Sequence, residues 1–362
     1  MKKLIIFLIL VSAIQALAQE KLKTENVILI TFDGLRWQEL FTGADSSLIN
    51  DNIFVRTPEE LKNTFWANDP ITRRQKLMPF FWNTVSKQGQ LFGNRQYGNF
   101  VNVTNDFWFS YPGYNEILVG YKDERINSND LIDNPNKTVL EFIHGQKGFE
   151  NKVAAFGSWD AFSHIINENR SKIYVNSGFE QAQDANLTDF EIYLNLLQKQ
   201  IPSPWHNVRL DAFTHHFALE HLKKHQPRVM YISYGETDDF AHDGKYDAYL
   251  QSAHKTDAFI EEIWNWVQSN EAYKNKTTLI ITTDHGRGTT PKETWKDHNT
   301  KIPGSDQIWL AMIGPDIKPK GEQKTKGQYY QNQVASTLAA LLGFQYKNER
   351  EVGKPISEAW KK

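Results

Sequence analysis

The chain contains 362 residues, of which 40% are hydrophobic and 23% are charged. These values are typical of a folded globular protein, and the length allows one large domain or two small ones. The formal net charge is -2 and there is no basic block, which argues against nucleic-acid binding. Because the sequence has no cysteine, disulfides, Cys-ligated zinc and thiol nucleophiles are excluded.

Residues 1–18 have the pattern of a signal peptide. A short basic segment precedes an apolar run from Leu4 to Ala13, and Ala-Leu-Ala at 16–18 is a typical cleavage site. No later run approaches the roughly 18 consecutive apolar residues that a membrane-spanning helix needs. We therefore expect an exported protein, periplasmic or secreted, in which residues 19–362 form a single domain.

Short apolar runs alternate with helical patterns along the chain. Continuous runs of this length are typical of strands buried on both faces, as in a parallel sheet. The runs are 27–32, 153–156, 229–234, 278–283 and 308–313, and helices are predicted at 247–267 and 331–342. This alternation predicts an α/β sandwich. The Asn-rich segments 42–74 and 160–205 fit it badly and are predicted to be cap-like insertions above the sheet.

Aspartate and histidine residues follow three of these runs, at the strand ends where α/β sheets bind ligands. One further histidine lies in a later polar loop. Oxygen and imidazole ligands suit zinc, with manganese, iron or magnesium as alternatives. Six of them are too many for one tetrahedral ion but suit two ions that share a substrate. The six residues are Asp33, Asp238, His242, Asp284, His285 and His298.

Ser110 is the candidate nucleophile for such a site. A polar and aromatic strand is predicted to end at Ser110, and Pro112 suits the first turn of a helix that runs to about Gly120. Ser110 would then lie at a helix N-terminus, where backbone N–H groups and the helix dipole favour an oxyanion. Arg36 and Arg287 lie beside the ligand turns, where they could contact phosphate or form surface ion pairs.

The order of these motifs resembles the alkaline phosphatase superfamily, and most of all its branch of type I phosphodiesterases and nucleotide pyrophosphatases. The resemblance covers residues 27–343 and implies a three-layer α/β/α sandwich with a mostly parallel central sheet. The motifs are Phe32-Asp33-Gly34, Ser110 with Pro112 and Gly120, Asp238 with His242, Asp284-His285-Gly286, and His298.

The resemblance also implies roles for these residues in holding two divalent metal ions, zinc before others. One ion would be held by Asp238, His242 and His298. The other would be held by Asp33, Asp284, His285 and the Ser110 oxygen. Ser110 would attack phosphorus and form a phosphoseryl intermediate. An Asn after the nucleophile helix would hold a phosphoryl oxygen, and Asn129 fits this position better than Asn127.

The expected function is therefore hydrolysis of small phosphoric esters, with phosphodiesters or nucleotide pyrophosphates favoured slightly over monoesters. The alternatives are a phosphomonoesterase, a phosphotransferase similar to phosphoglycerate mutases, and an exported binding protein that kept the fold. Sulfatases need a Cys-x-Pro-x-Arg motif for their formylglycine, and this chain has none. On that ground we expect it to lie outside the sulfatase branch.

Overall fold

The structure is a computed structural model that describes residues 21–183 and 185–360. The predicted signal peptide, residues 1–18, lies outside these residues. Across the described part of the chain, no helix combines the length and the apolar character needed to cross a bilayer.

Among the described residues, eight strands form a central sheet and three form a small second sheet. The strands are β1 (Asn26–Phe32), β2 (Gly89–Phe92), β3 (Asn99–Asn102), β4 (Val153–Gly157), β5 (Tyr174–Ser177), β6 (Val229–Tyr234), β7 (Thr277–Thr283), β8 (Gln307–Ile308), β9 (Leu310–Ile313), β10 (Gly321–Glu322) and β11 (Gly327–Tyr330). The sheet orders are β10-β2-β9-β7-β1-β6-β4-β5 and β11-β3-β8. In the central sheet only β9 runs against its neighbours, so a mostly parallel sheet is confirmed.

Helices connect the strands and cover both faces of the central sheet. They are α1 (Trp37–Thr42), α2 (Ser46–Ile49), α3 (Pro58–Phe65), α4 (Pro70–Leu77), α5 (Ser86–Gln88), α6 (Ser110–Val119), α7 (Val139–His144), α8 (Phe162–Ile165), α9 (Glu168–Ser171), α10 (Asp189–Gln200), α11 (Asp211–His225), α12 (Glu236–His242), α13 (Tyr246–Ser269) and α14 (Gln333–Leu341). The two long predicted helices correspond to α13 and α14.

Strand β1 divides the hydrophobic core into two layers because successive side chains of a strand point to opposite faces. Ile28 and Ile30 pack in a cluster that includes residues of α1, α11 and α13. Val27 and Leu29 pack in a second cluster with residues of α6, α7 and α14. Helices therefore lie on both sides of the sheet, and the three-layer α/β/α sandwich is confirmed.

The register of the central strands brings the candidate site residues to one edge of the sheet. Phe32, the last residue of β1, is the register partner of both Thr283 in β7 and Tyr234 in β6. The three strands are parallel and end at the same level, so the residues that follow them emerge side by side. Asp33 and Asp284 are the first residues after β1 and β7.

Three predicted segments differ from the structure in part. Within 160–205, β5 forms the edge strand of the central sheet instead of rising above it. Within 42–74, Leu48 and Leu61 pack into the core cluster that contains Ile28 and Ile30, on one face of the sheet. The predicted strand 308–313 is divided at Trp309, whose ring packs between Phe32 and Phe81 and whose Nε1 donates to the Leu35 carbonyl at 2.9 Å.

A buried ion pair fixes the turn that follows Asp33. The Arg36 Nε donates to Glu39 at 2.9 Å, and Arg36 Nη1 donates to the Gly288 carbonyl at 3.2 Å. The Tyr246 hydroxyl donates to the same carboxylate at 2.9 Å. The Arg36 and Glu39 side chains are 1% and 0% exposed, so Arg36 ties together two loops of the site and does not face the solvent.

Removing the carboxylate should therefore destabilise the fold strongly. Glu39→Ala leaves the buried Arg36 charge with only the more distant Asp45 carboxylate, at 3.6 Å, and the free energy of unfolding should fall by about 3–5 kcal/mol. The matched control is Glu59→Ala, which removes the exposed partner of Lys62 and should change stability far less. Urea denaturation measures both variants. Equal stability of the two variants would contradict the structural role given to Arg36 and Glu39.

Candidate active site

The candidate site is a cavity of about 560 Å³ at the carboxyl edge of the central sheet. Its lining combines the loops after β1 and β6 with the start of α6 and the loop before β8. Neither a lysine nor an arginine is among the described residues that line it. The lining residues are Asp33, Phe109, Ser110, Asn129, Trp159, Asn207, Val208, Gly235, Asp238, Asp239, His242 and His298.

The first group of predicted ligands surrounds the His285 imidazole. Its Nε2 lies 3.2 Å from Asp33 Oδ1, 3.4 Å from Asp284 Oδ2 and 3.5 Å from the Ser110 Oγ. Asp284 is held in place because its Oδ1 accepts the Gly34 backbone N–H at 3.0 Å. The structure thus brings together all four residues that were predicted for one of the two ions.

The second group surrounds Asp238, on the first turn of α12. The Nε2 atoms of His242 and His298 lie 3.2 Å and 3.5 Å from its carboxylate and 2.9 Å from each other. His285 adjoins this group too, since its Nε2 is 3.7 Å from Asp238 Oδ1 and its ring stacks on that of His298 with centroids 3.7 Å apart. The two groups are therefore neighbours on one side of the cavity.

Hydrogen bonds on the outer side of the imidazoles fix which nitrogen faces inward. Nδ1 of His298 donates to the Trp108 carbonyl at 3.2 Å, and Nδ1 of His285 donates to the Gly286 carbonyl at 3.0 Å. In each neutral ring the Nε2 lone pair then faces carboxylates, as in histidines that ligate metals. Asp33 Oδ1 and Asp284 Oδ2 are buried without a hydrogen-bond donor. Acceptors that face only acceptors need a cation, so these residues fit divalent metal ions.

Burial and the neighbouring charges also shift the pKa values of these residues. Burial raises the pKa of both Asp33 and Asp284, and repulsion among the neighbouring carboxylates adds to the effect. Burial also opposes ionisation of Asp238, but Arg287 and the imidazoles outweigh it and hold the pKa of Asp238 well below its usual range. Burial opposes the charge on His285, yet Asp284 and Asp33 raise its pKa to about 9. Without other cations, His285 would carry the compensating charge.

Helix α6 presents Ser110 to these groups at close range. Gly113 permits the approach, because a Cβ atom there would lie 2.5 Å from the Asp284 carbonyl oxygen. One turn after Ser110, the Tyr114 hydroxyl donates to Asp33 Oδ2 at 2.9 Å. Tyr114 was missed in the sequence, although its spacing of four residues from Ser110 places it on the same helix face.

The predicted strand before Ser110 is wrong. Residues 107–109 form an irregular turn in which Trp108 has φ of 56°. This left-handed conformation is uncommon for a bulky residue and is found preferentially at functional sites. The Trp108 carbonyl accepts the hydrogen bond from His298, so the turn connects the start of α6 to the second group of ligands.

The structure brings Asn129, and not Asn127, to Ser110. The Asn129 Oδ1 accepts the Tyr111 backbone N–H at 3.0 Å, and the residue lines the cavity. Its amide nitrogen has no hydrogen bond to another described residue. Asn127 instead donates to the Glu124 carbonyl at 3.3 Å and does not line the cavity.

The prediction that Arg287 contacts phosphate does not fit its position. Its side chain is 0% exposed. Nη2 donates to Asp238 Oδ1 at 2.5 Å, and Nη1 donates to the Lys296 carbonyl at 3.1 Å. Arg287 therefore orients Asp238 from behind, because its guanidinium is enclosed by the loop that carries His298.

Asp239 is a further cavity residue that sequence reasoning did not assign. It follows Asp238 on α12, and burial together with the Asp238 and Asp33 charges raises the pKa of Asp239 to about 9. The only signal in the sequence is the Asp-Asp pair at 238–239, which does not reveal which carboxylate faces the imidazoles and which faces the open cavity.

The α/β/α sandwich carries Asp and His groups and a serine at a helix N-terminus on the carboxyl edge of its sheet, and together with the family match it shows that the protein belongs to the alkaline phosphatase superfamily. Within it, the chain belongs to the Sulfatase family, whose model matches residues 107–344. The family and the fold indicate a hydrolase of sulfate or phosphate esters, a class of enzymes that uses divalent metals. The search of curated protein sequences found no match.

This match overturns the expectation that the chain lies outside the sulfatase branch. That expectation rested on a motif at the nucleophile, whereas the match covers residues 107–344. The nucleophile region still differs from the Cys-x-Pro-x-Arg motif. Ser110 stands at the position of its Cys, Pro112 at that of its Pro and Tyr114 at that of its Arg.

Several solved structures share the fold. Wild-type alkaline phosphatase PafA has 12% sequence identity and a TM-score of 0.62, over 95% of this chain and 100% of that chain. A putative sulfatase from Bacteroides thetaiotaomicron has 13% identity and a TM-score of 0.59, over 93% and 74% of the two chains. The phosphonate monoester hydrolase from Silicibacter pomeroyi has 12% identity and a TM-score of 0.55, over 93% and 76%. At sequence identities this low, the similarity shows a shared fold and nothing about function.

The histidine contacts predict the metal content of a variant. His298→Ala removes one imidazole from the second group, so bound zinc should fall from about two ions per chain toward about one. The matched control is His254→Ala, because the His254 ring packs on Phe65 and its Nδ1 bonds to the Leu77 carbonyl, away from the cavity. Elemental analysis after zinc loading measures both proteins. Unchanged zinc content in His298→Ala would remove His298 from the ligand set.

Proposed function

We propose that the protein is an exported, metal-dependent phosphodiesterase that uses Ser110 as its nucleophile. The observation that carries the proposal is the position of the Ser110 hydroxyl at the N-terminus of α6. There it lies 3.5 Å from Nε2 of His285, which forms a potential metal-binding group with Asp33 and Asp284. A serine used only as a structural helix cap would have no need of this cluster. The leader pattern of residues 1–18 supports the exported location.

Two divalent ions, zinc by preference, fit the two groups of side chains. Asp238, His242 and His298 would hold one ion. Asp33, Asp284, His285 and the Ser110 oxygen would hold the other. Bound ions of this kind supply positive charge that lowers the pKa of hydroxyl groups and offsets charge on the phosphoryl oxygens.

Ser110 would act in two steps. In the first, Oγ loses its proton and attacks phosphorus, so that a P–O bond to serine forms while the bond to the leaving alcohol breaks. In the second, water attacks the phosphoseryl group and releases the serine hydroxyl and the monoester product. The α6 dipole would favour negative charge at Ser110, and the amide of Asn129, which lines the cavity, would donate to a phosphoryl oxygen.

The charge of the cavity favours diesters over monoesters and pyrophosphates. A phosphodiester carries about one negative charge, whereas a phosphomonoester carries about -1.5 to -2 near neutral pH. Among the described residues, no lysine or arginine lines the cavity, because Arg287 is enclosed behind Asp238. Side chains that would balance the additional charge of a monoester or a second phosphate are therefore lacking.

Sulfate esters are the second candidate, on the strength of the family match over residues 107–344. The local sequence argues against the formylglycine chemistry of sulfatases. Ser110 stands at the nucleophile, and Tyr114, which bonds to Asp33, stands where that motif has arginine. An unmodified serine oxygen suits attack on phosphorus, so we rank phosphodiesters first.

Removal of the Ser110 hydroxyl should abolish turnover and leave zinc binding largely intact. Ser110→Ala should lower kcat for bis-p-nitrophenyl phosphate by roughly 10³-fold or more, because covalent catalysis is lost. Ser110→Thr, which keeps a hydroxyl, is the matched control and should retain part of the activity. Wild-type turnover by the alanine variant would place the nucleophile elsewhere.

A substrate panel separates the remaining candidates. The zinc-loaded protein should hydrolyse bis-p-nitrophenyl phosphate faster than p-nitrophenyl phosphate and p-nitrophenyl sulfate, and EDTA should remove the activity. Faster hydrolysis of the sulfate would favour a sulfatase, and faster hydrolysis of the monoester would favour a phosphatase. Retention of phosphate by the protein or an acceptor alcohol would indicate a phosphotransferase. No turnover of the three esters would favour a binding protein.

A further inference from the structure

One side of the cavity, which we term the acidic wall, consists of Trp159, Asn207, Val208, Gly235 and Asp239. The wall is continuous, because Trp159 and Val208 pair through an isolated β-bridge. A Cβ atom on Gly235 would lie 3.1 Å from Val208 Cγ1 and 3.8 Å from Asp239 Oδ2. The glycine thus lets the carboxylate and the hydrophobic side chains share one surface.

The Asp239 carboxylate has no cation of its own. It forms neither an ion pair nor a side-chain hydrogen bond with any residue in the described ranges. Arg287 is committed to Asp238, with Nη2 at 2.5 Å from that carboxylate. Asp239 lines the cavity, so its oxygens remain available to a positively charged or hydrogen-bonding group of a ligand.

Two further carboxyl groups lie in the layer behind the wall. The Asp211 carboxylate accepts the backbone N–H of Gly235 at 2.8 Å and the Ser158 hydroxyl at 2.6 Å. Glu236 lies beside it and accepts the Asp211 backbone N–H at 2.9 Å. The cation in this layer is Arg209, which is fully buried and donates to Asn176 and Thr214, away from the cavity. The Arg209 guanidinium therefore forms no ion pair with Asp239.

We propose that the acidic wall binds an alkylammonium group on one of the two alcohols of the phosphodiester. The inference rests on the phosphodiesterase function proposed above and names its substrate class. Asp239 would pair with the ammonium, whose positive charge favours the ionised form of the carboxyl group. Trp159 would add a cation–π contact, since tryptophan is the best aromatic partner for cations. Asn207 would accept a hydrogen bond from a primary ammonium or a neighbouring hydroxyl.

This assignment gives the cavity two complementary ends. At one end, the metal-binding groups and Ser110 receive the anionic phosphoryl group. At the other end, Asp239 and Trp159 receive a cation. A zwitterionic diester fits both ends, whereas a nucleotide would bring a second anionic group toward Asp239.

The decisive comparison uses the wild-type protein and substrates that differ in one charge. The probes are p-nitrophenyl phosphocholine, its 2-aminoethyl analogue, and the 3,3-dimethylbutyl p-nitrophenyl phosphate that replaces the ammonium nitrogen with carbon. At least one cationic ester should have kcat/KM about tenfold or more above the uncharged isostere, a difference of about 1.4 kcal/mol. The two cationic esters distinguish a quaternary from a primary ammonium site.

Two variants assign the preference to the wall. In Asp239→Asn the ratio of kcat/KM values for the cationic and isosteric esters should fall to about 1–3, because a neutral amide lacks the attraction. Asp130→Asn is the matched control, since it removes the same charge next to Asn129 at a residue that does not line the cavity. Its ratio should equal that of the wild type.

The outcomes separate the two proposals. Equal kcat/KM for the three esters in the wild type would overturn the ammonium site while leaving the phosphodiesterase function intact. Failure to hydrolyse any of the three by the zinc-loaded protein would overturn the function itself. A preference that persists in Asp239→Asn would also overturn the assignment to this wall. Competitive inhibition of the uncharged ester by choline chloride, beyond that by sodium chloride at equal ionic strength, would support it.

Discussion

The burial of several carboxylates at one edge of the sheet is the constraint on which the rest of the site depends. Asp33, Asp238 and Asp284 converge on the His285 imidazole, and Asp33 and Asp284 each keep an oxygen without a hydrogen-bond donor. Such charge is costly to bury unless cations balance it. Divalent ions would provide that balance, and the free energy spent in holding the carboxylates together would then favour metal binding.

Contacts from the surrounding helices and loops hold these carboxylates in position. Gly113 lets α6 approach the end of β7, and Tyr114 on the same helix donates to Asp33. Arg287 holds Asp238 from behind, while Arg36 and Glu39 tie the loop after Asp33 to the loop that follows His285. These contacts are buried or partly buried and hold the Asp and His side chains in position without an ion, which would preorganise a metal site.

The fold does not determine which ester the protein hydrolyses. That choice depends on the side chains that line the two sides of the cavity. A shared fold supports many chemistries, because function depends on the groups at the site. Family membership here gives hydrolysis of sulfate or phosphate esters. The finer assignment comes from Ser110 at the nucleophile position, from the absence of cationic side chains among the described cavity residues, and from Asp239 on the opposite wall.

The sequence by itself determined the sandwich, the buried strands β1, β4, β6 and β7 and the residues that follow them, because buried parallel strands are continuous apolar runs and Asp33 and Asp284 directly follow two of them. It also indicated Ser110 through the position of Pro112. Only the tertiary structure decided that β5 joins the sheet, that Arg287 is enclosed and that Asp239 faces the cavity. These outcomes depend on contacts between segments distant in the chain, and local pattern does not encode which side chain of a turn points inward.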